Sequence, residues 1–164
     1  MAQKSVYDLP KAGPETDNCL TRVLQQRRTH RAFASRPLSL SEVAQLLWAT
    51  QGISSPEGLR TAPSAGALYP LELHLLVGDV DGLPAGRFRY DPEHQSLRAE
   101  TRGDLRQIVA TAALRQGWIA TAPAVFVISA VDTRTTRKYG RRGVRYVHME
   151  AGHAAQNLLL QAAA

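Results

Sequence analysis

At 164 residues with 44% hydrophobic side chains, the chain is long enough for one domain with a true core and too short for two ordinary ones. Apolar runs break within about ten positions, well short of the roughly 20 that a membrane span needs, and the polar, proline-containing start MAQKSVYDLPKAGPETDN carries no export signal, so the cytoplasm is the expected compartment. Cys19 is the only cysteine, which excludes an internal disulfide and a thiolate-rich metal site, and the formal charge of +6 leaves nucleic acid, acidic peptides and phosphorylated cofactors all open.

Residues 1–16 have no sustained period and read as an arm; residues 17–164 read as the domain. From Asp17 the spacing of Leu20, Val23 and Leu24 predicts a helix, with Thr16 or Asp17 as its cap and Arg27 to Arg31 delivered at its end. Ser39 followed by Glu42 is a capping box, and Val43, Leu46, Leu47 and Thr50 carry a second helix to a stop at Gly52. The Ser/Gly/Pro-rich stretch 54–70 cannot be a regular element, and a loop of that length usually has a job. Leu71, Leu73, Leu75 and Val77 then alternate with Glu72 and His74 as a strand with one buried face. Short strands follow at 87–91 and 96–100, and a helix over about 104–116 is expected to bury Leu105, Ile108, Val109 and Ala112. The run AVFVISAV reads as a central strand of a mixed or antiparallel sheet. A long helix over 143–164 presents Val144, Val147, Ala151, Ala154, Ala155, Leu158 and Leu159 on one broad face. Its small residues permit close pairing with another helix, and the chain ends in three alanines while still helical by pattern, so it reads as cut short.

Two segments could grip a ligand. In an extended backbone Arg27, Thr29 and Arg31 point the same way, two guanidinium forks and a hydroxyl suited to phosphate; the same cations could instead serve the helix C-terminus. In the loop, Pro63 and Pro70 restrict the ends, while Ser64, Ala65, Gly66 and Ala67 leave room for a flat ring against the main chain, with Leu68 or Tyr69 packing on it. Glu150 and His153 have the E-x-x-H spacing, but no second such motif exists, and His148 and His153 stand about 140° apart around a helix, so no metal site is expected. Aromatic content of 6% is low for a single-strand nucleic-acid binder, so none is expected either.

RRTHR at 27–31, PSAGALYPLEL at 63–73 and EAGHAAQNLLLQA at 150–162 occur in the order found in FMN-dependent flavoproteins of the nitroreductase superfamily. Together with KYGRRGVRYVHMEAGHAAQNLLLQ they resemble the SagB-type, azoline dehydrogenase branch over most of 22–164. The resemblance implies an α+β fold, a mixed or antiparallel sheet flanked by helices with a long C-terminal interface helix, working as a homodimer with FMN at the interface. It implies that Arg27, Thr29 and Arg31 hold the phosphate, ribityl chain and pyrimidine side of FMN, and that Ser64, Ala65, Gly66, Ala67 and Leu68 form the isoalloxazine site. Many relatives have asparagine where this chain has Ala67, so backbone contacts must replace that side-chain bond. The branch's Lys-Tyr pair matches Lys138 and Tyr139, the candidate catalytic residues. Either could serve as the base for removing a ring proton, Tyr139 through its cationic neighbours or Lys138 through partial desolvation. The relatives' strand and arm after the long helix have no counterpart in this chain. The expected substrate is a modified peptide, or else a small nitro or quinone compound; a flavin-binding or structural subunit without catalysis is the alternative.

Overall fold

The computed structural model describes residues 19–164, so the expected arm at 1–16 and a cap at Thr16 or Asp17 lie outside the described residues. The first helix, α1 (Cys19–Gln26), buries Val23. In α2 (Leu40–Gln51) the capping box is complete: Ser39 Oγ accepts from the Glu42 amide, and the Glu42 carboxylate accepts from the Ser39 amide at 2.8 Å. Arg36 grips the same carboxylate at 2.7 Å. The helix stops at Gly52, whose amide closes on the Trp48 carbonyl.

Strands β1 (Leu71–Val77), β2 (Gly86–Asp91), β3 (Ser96–Arg102) and β4 (Ala124–Ala130) form one antiparallel sheet in the order β3-β2-β1-β4. Leu75 faces Phe88 on one side and Phe126 on the other. The alternation read from the sequence is what places Leu73, Leu75 and Val77 on the face that packs, with Phe88 and Tyr90, against Val43 and Leu47 of α2. At the Leu71 end the same face meets Val147 and Ala154 of the long helix α6 (Arg142–Gln161), with Ala62 between them. The other face is polar toward that end: Glu72 takes Arg134 and Arg89, and His74 takes Glu100.

Three expectations need correction. The run AVFVISAV forms an edge strand, not a central one; a continuous apolar run reports that both faces are partly covered and says nothing of which edges are paired. The helix expected over 104–116 is shorter, α3 (Arg106–Ala112), followed by the one-turn α4 (Trp118–Thr121). Its buried residue is Ala110, while Ile108 is 65% exposed, because the stripe was chosen by hydrophobicity and the packing chose the smaller residue next to α4. On α6 the inward face is Gly143, Val147, Glu150 and Ala154, which leaves Val144 and Leu159 exposed. Finally α5 (Thr133–Tyr139), which has no apolar period, had no place in the sequence reading.

Candidate functional site

The segment 63–70 is a tight loop rather than a loose one. Residues Ala65–Ala67 make a single 3-10 turn, closed by the Ala67 amide on the Ser64 carbonyl at 3.1 Å, and Ser64 Oγ accepts from the Tyr69 amide at 2.9 Å. Three residues in this loop occupy the left-handed region: Gly66 at φ 66°, Ala67 at 52° and Tyr69 at 44°. Glycine adopts that conformation freely, but for Ala67 and Tyr69 it costs roughly 1–2 kcal/mol each. Tyr69 is held there from several sides. Its ring lies 4.5 Å beneath the Arg60 guanidinium, its hydroxyl accepts from the Arg60 amide at 3.3 Å, and its carbonyl accepts from Arg134 at 3.2 Å. Strain of this kind persists only where surrounding contacts over-determine it, as they do at Tyr69.

Helix α5 brings the Lys-Tyr pair to this loop. Arg134 and Lys138 lie one turn apart on it: Arg134 fastens the helix to the Tyr69 carbonyl and to Glu72 at 2.6 Å, and Lys138 and Tyr139 then reach Gly66. A Cβ placed on Gly66 would stand 2.7 Å from the Tyr139 hydroxyl and 2.9 Å from Lys138 Nζ, so the absent side chain is what admits both groups. The Tyr139 ring is fixed edge-on against Tyr146 at 5.1 Å, and Lys138 Nζ lies 5.4 Å from the Tyr139 ring centre. The Tyr139 hydroxyl and Lys138 Nζ thus converge on backbone bordered by Ser64, Ala65 and Ala67. The arrangement can hold or move a proton beside a flat ligand laid on the loop.

The basic segment stands apart from this convergence. Residues 27–31 follow α1 without regular structure, and Arg27 is half-buried while Arg28 to Arg31 are exposed. Arg28 donates to the Gln25 and Arg27 carbonyls, the service to a helix end that its position suggested. Arg31 lies 5.9 Å over the Trp118 ring, which also meets Phe33. Among the described residues, no hydrogen bond, ion pair or ring contact joins 27–31 to 63–70.

Sequence reasoning singled out Lys138, Tyr139 and the loop but passed over Arg60 and weighed Glu150 for its E-x-x-H spacing. Glu150 is 2% exposed and its Oε1 has no hydrogen-bond partner among the described residues. Burial pushes its carboxyl up, against the pull of the Ser64 hydroxyl, Arg60 and His153. Asn157, about two turns further along the same face of α6, donates to the Thr61 carbonyl at 3.1 Å. The loop is therefore fastened from beneath by α6. A lone cation inside a Ser/Gly/Pro-rich stretch was the signal available for Arg60.

An antiparallel four-stranded sheet flanked by helices makes this an α+β protein. The chain is a member of the nitroreductase family, whose model matches residues 24–164. A nitroreductase-family protein of Methanocaldococcus jannaschii is 47% identical over 140 residues, 85% of this chain and 71% of that protein. A nitroreductase-family crystal structure from Ralstonia eutropha superimposes with a TM-score of 0.75 at 29% identity, over 94% of this chain and 70% of the other. Two further structures share the fold at lower identity. The Escherichia coli microcin synthetase McbBCD complex with truncated pro-MccB17 bound gives a TM-score of 0.62 at 21% identity, over 99% of this chain and 62% of the other. A nitroreductase-family protein of Desulfovibrio desulfuricans in complex with FMN gives 0.57 at 22%, over 90% and 63%. Membership of this family makes the chain an oxidoreductase of the flavin type.

Proposed function

We propose that the protein is an FMN-dependent oxidoreductase in which the loop at 64–68 receives the isoalloxazine and Lys138 and Tyr139 handle the proton. When bound, FMN would supply the two-electron centre that exchanges a hydride with an organic substrate. The observation that carries the reading is the meeting of Lys138 and Tyr139 at Gly66. The loop fits a flat ring: from Ser64 to Ala67 no side chain exceeds a hydroxymethyl group, and Gly66 and Ala67 are exposed. Arg27, Thr29 and Arg31 would hold the phosphate and ribityl chain, and because nothing joins them to the loop within one described chain, they would act across an interface between two copies. The exposed side of α6, with Val144, Met149 and Leu159, is the surface such a homodimer would cover.

The substrate we favour is an azoline in a modified peptide, as in the SagB-type branch. Its oxidation to an azole removes one proton and one hydride from neighbouring ring carbons, so a base is needed beside the hydride acceptor. We assign that proton to Tyr139 Oη, which meets Gly66 with Lys138 beside it. The second reading is reduction of small nitro or quinone compounds, which the Methanocaldococcus relative's family name favours. Protein loaded with FMN, Tyr139→Phe beside wild type, tests the assignment. Turnover is expected to fall about 100-fold or more with the flavin spectrum unchanged. Full turnover by Tyr139→Phe removes that residue from the proton role, and a protein that takes up no flavin removes the cofactor.

A further inference from the structure

We propose that Arg60 and the cleft it lines form a subsite for the carboxylate of a small organic acid, placed beside the loop that meets Lys138 and Tyr139. The cleft, about 470 Å³, runs from the loop residues Leu68 and Tyr69 to Glu72 and Arg89 of the sheet, with Gln51 and Arg134 on its walls. That volume suits a small organic molecule.

The charges lining it are not equally occupied. Glu72 is taken by Arg134 at 2.6 Å and by Arg89 at 3.5 Å. Asp91 is taken by His94 at 2.9 Å and by the Glu93 amide at 3.0 Å. Arg60 has no ion pair among the described residues. Its Nη1 donates to a neutral acceptor, Gln51 Oε1, at 2.9 Å, and its plane stacks over Tyr69. Only one of the five N–H groups of a guanidinium is thereby used. Burial is the largest influence on this cation and pulls its pKa down, while Glu150 and Glu93 attract it more weakly, Glu93 least of the charges it senses. A rigid, partly desolvated guanidinium without a counter-ion is costly to keep, and its fork matches a carboxylate in two parallel bonds. Phosphate is disfavoured, because the other two arginines are engaged and three carboxylates border the cleft. A single planar charge is what one free guanidinium can match.

Position gives the subsite its use. Arg134 on the cleft wall is one helical turn, about 5.4 Å, from Lys138 on α5. An acid anchored at Arg60 would extend along the loop toward Tyr139. That the acid is a substrate rests on the flavin reading proposed above, but its binding does not.

Calorimetric titration of the full chain with benzoate, benzamide and inorganic phosphate tests this, with and without FMN. Benzoate is expected to saturate, benzamide not to bind, and phosphate to bind more weakly than benzoate. Loss of a bidentate charge-assisted contact predicts that Arg60→Gln weakens benzoate by roughly tenfold or more. Arg115→Gln, which removes the same charge from a distant exposed site, should leave benzoate affinity unchanged. If Arg60→Gln is unfolded by circular dichroism, Arg60→Lys decides: it keeps the charge, loses the fork, and should still weaken binding. Absence of benzoate binding, equal affinity in the Arg60 variants, equal weakening by Arg115→Gln, or phosphate binding tighter than benzoate each overturns the subsite. Benzoate binding in a protein that rejects FMN sinks the flavin reading and leaves the subsite; FMN binding without benzoate binding does the reverse.

Discussion

Gly66 shows what a single residue contributes. Its φ of 66° would strain any side chain, and its missing Cβ leaves the space that Lys138 Nζ and the Tyr139 hydroxyl enter. Gly66→Ala is expected to lower stability by about 1–2 kcal/mol through the backbone alone and, separately, to push the two flexible side-chain ends away from the loop. Gly58→Ala separates these effects, because Gly58 has φ 79° with nothing within 4 Å of its would-be Cβ. Both variants should unfold at lower urea concentration, and only Gly66→Ala should also weaken FMN binding in a fluorescence titration. Equal FMN affinity in the two would mean that the contact at Gly66 plays no part in holding the ring. That the loop around Gly66 has a definite shape was legible in the sequence, since a glycine between small residues and two prolines announces a turn. Arg60 was not, because nothing in its sequence neighbours tells that its guanidinium lies on Tyr69 and makes no ion pair among the described residues.

Elements were legible where one physical signal dominated. In α2 the capping box and the apolar spacing agree, and β1 shows strict alternation; both formed where expected. In α5 the sequence TRTTRKY has neither signal, because the helix is fixed from outside by Arg134 on Tyr69 and Glu72 and by α6 behind it. The cap of α2 makes a prediction of its own. Removing its hydroxyl, Ser39→Ala, should cost about 1 kcal/mol in urea unfolding. Glu42, hydrogen-bonded first by Arg36 and then by the Ser39 amide and hydroxyl, has its carboxyl pulled down to about 2. Its folded form holds the proton less tightly than the unfolded chain, so its contribution is present above the ordinary carboxylate range and fades as pH falls toward about 2. Titration followed by NMR should find the Glu42 carboxyl lowest in wild type and returned upward in Arg36→Ala. No movement on losing Arg36 would assign the shift to the helix cap alone.

Across the whole molecule, the buried carboxyl of Glu150 acts with the opposite sign. Burial raises it, so the folded protein keeps this proton after the unfolded chain has released it. Its contribution to stability is therefore complete below the ordinary carboxylate range and is lost as pH rises through the folded value. The ionised form has Arg60, His153 and the Ser64 hydroxyl to lean on, but Oε1 has no hydrogen-bond partner among the described residues, and an unpartnered buried oxygen bearing charge is poorly tolerated. Since Glu150 lies in α6 beneath the loop fastened by Ser64, the loss should be felt in the loop as well as in global unfolding. Glu150→Gln keeps the shape and cannot ionise. Urea unfolding over a series from about pH 4 to pH 8 should show wild type losing stability on the alkaline side relative to the variant, the two converging at the acid end. FMN affinity should follow the same divergence if the loop is what loosens. Parallel stability profiles would mean that Glu150 ionises as readily in the fold as outside it, and that α6 supports the loop through Asn157 and packing alone.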